Sequence, residues 1–158
     1  MLTSVSDIAD LFSVFHDGEI VSHEAQGSDL RLRLDVEYLA RRIQPTFKFF
    51  EIDVIGVEHL DFTTWPNDDV PPSHLHTPAE IFQPRLEVLS GETEGAVVRV
   101  VCNQPGARVG YCGGDLRFRT RGAKVRDESG VEWSLEDLKS LAEAYWAEWS
   151  ERGKRNAT

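Results

Sequence analysis

With 158 residues, 41% apolar and 28% charged, the chain has the size and composition of one packed domain rather than a disordered segment. Seventeen Lys and Arg against 27 Asp and Glu leave a formal charge of −10, which repels phosphate backbones and argues against a nucleic-acid partner. No apolar run approaches the roughly 20 residues that cross a bilayer, and residues 1–12 carry Asp7 and Asp10 without Lys or Arg, unlike a signal peptide, so a cytoplasmic protein with no membrane partner is expected.

Ile8, Leu11, Phe12 and Phe15 fall at i, i+3, i+4 and i+7. That spacing predicts a helix over residues 7–15, capped by Ser6, with His16 in its last turn and Gly18 as its left-handed terminator. A strand over 19–25 then leads through the turn 26–29 to the clearest alternation in the chain. Leu30, Leu32, Leu34, Val36 and Tyr38 alternate with Arg31, Arg33, Asp35 and Glu37, which predicts a half-buried strand over 30–38. Residues 46–62 are β-rich, with Phe50, Ile52 and Val54 setting the parity and Gly56 marking a bulge or bend.

Five prolines lie between Trp65 and Pro84, which predicts a long surface loop with one helical turn near 79–82. Residues 85–90 and 96–102 flank a Gly91–Gly95 connection. Val97, Val98, Val100 and Val101 are apolar on both parities, as in a central strand covered on both faces. Residues 115–121 alternate again, and 124–127 with 131–133 frame a tight turn. The chain ends in a strong helix with Ser134 as cap. Leu138, Ala142, Tyr145 and Trp149 form a stripe expected to pack on the sheet. Trp146 lies at the stripe's edge, as a rim residue or an interface anchor, and 151–158 reads as a frayed polar tail. Strands grouped between two terminal helices predict a single α+β domain over 1–158. Its mostly antiparallel, bent sheet should hold about six to eight strands, flanked by a short N-terminal and a longer C-terminal helix.

Few residues carry recognisable chemistry. Nucleophile-elbow, phosphate-loop, zinc-protease and dinucleotide signatures are absent, so a binding role ranks above an enzymatic one and no cofactor is expected. Cys102 and Cys112 suit reduced thiols, with a disulfide between them left open, and Cys112-Gly113-Gly114 reads as a strand kink. His74-Leu75-His76 followed by Glu80 offers an N,N,O metal set and resembles the first metal motif of the cupin family. That resemblance implies a metal held by His74, His76 and Glu80. The chain departs from the family pattern at Asp68 and Glu87, where glycines are expected, and the surrounding prolines suit a solvated loop. Arg117, Arg119 and Arg121 share one face of a predicted strand, with Lys124 and Arg126 extending the line. They read as cross-strand partners of Asp35/Glu37 or Glu51/Asp53, or as a patch for an anion or an acidic partner.

Phe15-His16-Asp17-Gly18-Glu19-Ile20 places a histidine beside two carboxylates, either a general-base pair or part of a polar binding rim. After a short amphipathic helix and before alternating strands, it resembles the opening of small bacterial families typed Phe-His-Asp-x-Glu-(Ile or Val). Some of these are assigned as immunity proteins of contact-dependent toxin systems. The resemblance covers about residues 8–40 and implies a protein-binding module, with a basic toxin as partner. A second copy of the chain is the other partner considered. Arg117, Arg119, Arg121, His16, Asp17 and Trp146 are the candidate contact residues. The alternative is an enzyme or metal-binding protein centred on the His74/His76/Glu80 loop.

Overall fold

A computed structural model describes residues 1–106 and 110–156. The chain is α+β, with a single open antiparallel sheet and helices at both ends. Helix α1 spans Val5–Val14. Ser4, not Ser6, caps it, its hydroxyl accepting from the Asp7 N–H at 3.0 Å. Strands β1 (Glu19–Gln26) and β2 (Asp29–Asp35) form a hairpin, and the short helix α2 (Glu37–Ala40) leads to β3 (Phe49–Ile55) and β4 (Glu58–Thr64). The two-residue β5 (His74–Leu75) and the single turn α3 (Pro78–Ile81) precede β6 (Leu86–Glu94), β7 (Val97–Asn103), β8 (Gly113–Arg119) and β9 (Gly122–Asp127). Helix α4 runs from Leu135 to Asn156, so residues 151–156 are helical rather than a frayed tail; residues 157–158 of that tail lie outside the described residues.

The strand order is β5-β4-β8-β7-β6-β1-β2-β3-β9, nine strands among the described residues. Connectivity explains the bend. β3 continues into β4 through residues 56–57, and β8 into β9 through 120–121, while β3 pairs with β9 and β4 with β8. One long two-stranded ribbon thus turns a corner, so that one half extends the sheet beyond β2 and the other beyond β7. The Arg121 N–H and the Thr120 hydroxyl both donate to the Ile55 carbonyl, at 2.9 and 2.6 Å, and clamp the corner. Gly56 takes φ +63° there and leaves room for the Arg121 side chain.

The sheet forks at β1–β6, which pair only through Glu19↔Glu87 and Ile20↔Leu86. Helix α1 occupies the fork. The Ser13 hydroxyl donates to the Gly91 carbonyl and accepts the Gly91 N–H, so this helix residue completes an opened ladder position. Gly91 lacks a side chain because a Cβ there would collide with the Ala9 carbonyl. Phe12 meets Phe118 of one wing (centroids 6.1 Å) and Phe15 meets Phe50 of the other (5.0 Å), joining both wings in one core.

Several sequence expectations change. The β2 register is as the alternation implies, with Leu32, Leu34 and Val36 buried, but the strand ends at Asp35 and Tyr38 belongs to α2. β7 is central, yet only Val98, Val100 and Cys102 are buried; Val97 and Val101 are half-covered. The proline-rich segment is not wholly a surface loop, since His74 and Leu75 pair with β4 and Ile81 and Phe82 are buried. Gly113 and Gly114 are regular β8 residues rather than a kink, their bare faces covered by the Trp65 and Phe62 rings. Helix α4 contacts α1 and α2, and its buried residues Leu135, Leu138 and Ala142 join the common core. Both cysteines are free, Cys102 buried and Cys112 exposed.

Candidate functional site

The end of α1, the start of α2 and the middle of α4 converge at His16. Phe15 closes α1, and Asp17 takes the left-handed conformation (φ 67°) expected of Gly18. Its N–H donates to the Val88 carbonyl at 2.9 Å, which pins the turn to β6. The His16 imidazole lies with Nδ1 2.9 Å from the Leu89 carbonyl. Because a carbonyl only accepts, Nδ1 carries a proton, and Nε2 lies 3.4 Å from the Asp17 carboxylate. Tyr38 donates its hydroxyl proton to the His16 carbonyl at 2.6 Å. Burial, helped by the Asp17 charge, pushes the Tyr38 phenol up to about 12, so it remains a donor at physiological pH.

Around this junction the aromatic rings form a ridge. Tyr38 meets Tyr145 (centroids 4.6 Å) and Trp146 (5.9 Å), His16 meets Trp146 (6.5 Å), and Trp146 meets Trp149 (6.0 Å). Trp146 is 38% exposed and Trp149 60%. A groove of about 670 Å³ runs between α1 and α4 on one side of the ridge. Val14, Ala142 and Trp146 give it an apolar floor, and Asp10, Lys139 and Glu143 give it a charged rim. Lys139 bonds Asp10 at 2.7 Å, and the charges of Asp7 and Glu143 also act on it, raising its ammonium pKa. On the rim one cation faces two carboxylates, with the Asp7 charge also acting on it, so the rim has an acidic surplus. A second hollow, about 380 Å³, lies between α2 and α4, where Arg42 clamps Glu148 bidentately at 2.8 and 2.9 Å.

The arginine line is divided. Arg117 lies in β8 and pairs with Glu94 (3.2 Å) and Asp115 (3.4 Å). Its partners are therefore neither Asp35/Glu37 nor Glu51/Asp53. Those last two face Arg31, and Asp53 also holds Arg126 at 2.8 Å. Arg119 and Arg121 make no ion pair among the described residues, but Arg121 has left the strand and packs at the Gly56 corner. Arg117 and Arg119 thus remain two residues apart on β8, and Arg121 lies beyond its end.

His74 and His76 do come together, with rings 6.3 Å apart and within 8° of parallel, but not with Glu80. Glu80 sits on α3, where its N–H donates to the Thr77 cap. Both imidazoles turn Nδ1 toward Asp61 of β4, at 3.0 and 3.6 Å. Burial alone would raise the Asp61 pKa, but the Thr63 hydroxyl, His74 and His76 outweigh it and hold the carboxyl below its ordinary range. Among the described residues no group of three or more His, Cys, Asp and Glu side chains is arranged to hold a metal ion.

Sequence reasoning found His16, Asp17 and Trp146 but missed Tyr38, Asp10, Glu143 and Asp61. Tyr38 was hidden by an alternation that ran past its strand. Asp10 and Glu143 lie on the polar flanks of two separate helices, and only tertiary packing makes them neighbours. Among the described residues no helix is long and apolar enough to cross a membrane. No known family model, curated protein or solved structure matches this chain.

Proposed function

We propose that this chain is a protein-binding module of the toxin-immunity type, whose partner presents basic side chains to the α1/α4 groove. The observation that carries the reading is the groove itself: an apolar floor ending at Trp146, a rim with more carboxylate than cation, and a half-exposed aromatic ridge beside it. Tryptophan and tyrosine next to charge are the residues that concentrate binding energy at protein interfaces. The −10 charge of the chain raises the encounter rate with a basic protein, and the acidic rim supplies local complementarity. Two free thiols support a reducing, cytoplasmic setting. His16 acts in this reading as part of the frame, with Nδ1 committed to Leu89 and the ring supporting Trp146.

Expression beside a basic effector encoded by a neighbouring gene tests the proposal. The wild type restores growth, and Glu143→Lys and Trp146→Glu, both folded, lose protection. Equal protection by all three rejects it.

A further inference from the structure

We infer that the hollow between α2 and α4 is a binding site for a small aromatic phosphate, a monoester whose ring lies on Trp149 and whose phosphate meets the arginines. This site is separate from the α1/α4 groove and does not rest on the function proposed for it. Tyr145, Glu148, Trp149 and Arg152 fall at i, i+3, i+4 and i+7, so α4 turns all four toward α2. Tyr38, Arg41 and Arg42 face them from α2 and the turn after it. The space between, about 380 Å³, is in the size range of small-molecule sites.

Charge sets the sign of the ligand. Three arginines and one glutamate line the hollow, a surplus of two positive charges in a chain whose total is −10. The distant carboxylates act weakly here, since physiological salt screens exposed charges beyond about 8 Å. Several donors are uncommitted. Arg42 is fixed by its bidentate bond to Glu148, and a guanidinium has five N–H donors, so it keeps free N–H groups on a side chain already held in place. Arg41 pairs with Glu37 one turn before it, an exposed contact that a doubly charged ligand displaces readily. Arg152 makes no ion pair among the described residues, yet it adds to the lowering of the Glu148 pKa that the Arg42 bond chiefly sets. The Tyr145 hydroxyl makes no hydrogen bond to another described residue. It lies near Arg42, whose pKa is raised chiefly by the Glu148 bond and further by the Tyr145 phenol.

A phosphate monoester matches this set. It carries about −1.5 to −2 charge at pH 7 and three acceptor oxygens, and guanidinium forks fit it bidentately. A long polynucleotide would run on across the acidic remainder of the chain, which a small monoester does not reach. The ring has its own wall. Trp149 stands 60% exposed and T-shaped to Trp146 (centroids 6.0 Å), so much of its indole is open for stacking.

Titration of the isotope-labelled chain, followed by its indole and arginine side-chain NMR signals, tests this with four probes. Phenyl phosphate should bind saturably, with a dissociation constant of about 1 mM, and shift the Trp149 and Arg152 signals. Inorganic phosphate, which lacks the ring, should bind about threefold to tenfold more weakly. Benzoate, with one charge, should also bind more weakly than phenyl phosphate, and benzyl alcohol should not bind in the same range. Arg152→Gln, at wild-type thermal unfolding, should weaken phenyl phosphate by about fivefold or more. Trp149→Leu should remove its advantage over inorganic phosphate. Shifts that do not saturate, or that fall elsewhere on the chain, overturn the inference. So does equal binding of phenyl phosphate and inorganic phosphate by the wild type, or benzoate binding at least as tightly as phenyl phosphate. An Arg152→Gln chain that binds phenyl phosphate like the wild type overturns it as well.

Discussion

Asp17 and Gly18 divide between them what one glycine was expected to do. Asp17 supplies the left-handed residue, which aspartate tolerates at a cost of about 1–2 kcal/mol. Gly18 supplies space, because a Cβ there would lie 2.5 Å from Val36 Cγ2 and 2.9 Å from the Phe15 carbonyl. Gly18→Ala should therefore destabilise by roughly 1–3 kcal/mol in urea unfolding, as overpacking does, whereas Asp17→Gly should change stability by less than about 1 kcal/mol. The sequence shows that a turn is needed here, but not that Val36, 18 positions away, closes over it. Asp127 has a similarly local role. Burial would raise its pKa, but the Ser129 hydroxyl, the Trp133 indole and the Val131 and Ser129 N–H groups outweigh burial and hold it below the ordinary value. An unfolded aspartate titrates near ~3.9. The network's stabilisation is thus complete above that pH and lost as pH falls through the lower folded value. Asp127→Asn should be less stable than the wild type at neutral pH, and the gap should narrow below about pH 4. Urea midpoints measured from acid to neutral pH check this; a gap independent of pH contradicts it.

Among the elements, β2 is the one whose residues announce both its conformation and its register. Three buried apolar positions in strict alternation, Leu30, Leu32 and Leu34, leave one choice of face, since a one-residue slip would turn all of them outward. Leu34→Ala should cost about 2–5 kcal/mol in chemical denaturation. Arg33→Ala, which loses a stacking contact on Phe49 and an exposed pair with Asp35, should cost less than about 1 kcal/mol. The reverse ranking would put the register off by one. The same alternation misplaced Tyr38, because hydrophobic parity continues past Val36, which leaves the strand at φ −134°, ψ 68° to start α2. β5 was concealed for a different reason. Two residues carry no periodicity, and prolines on both sides suggest a loop, yet His74 and Leu75 still pair with Thr63 and Phe62. The fork at β1–β6 depends on Ser13 of a helix standing in for a strand neighbour, and nothing local to either segment signals it.

Over the whole molecule, most of the charge is used within the fold. Arg31, Arg126, Arg99 and Arg117 are taken up by carboxylates on the sheet, so Arg117 and Arg126 of the predicted arginine line are internally paired, while Arg119 and Arg121 make no ion pair among the described residues. The sheet class, the terminal helices and the partial exposure of Trp146 could be read from periodicity and composition. The α1/α4 groove could not, since it exists only where α4 crosses α1 and brings Asp10 beside Lys139 and Glu143. That crossing also gives the acidic surplus its apolar floor. Calorimetric titration of the chain with a purified basic effector, at low and high salt, tests the central claim directly. Saturable one-to-one binding is expected, weakened by salt and weakened about tenfold or more by Glu143→Lys at unchanged stability. Binding of equal strength in the wild type and Glu143→Lys, or no binding by either, would contradict it.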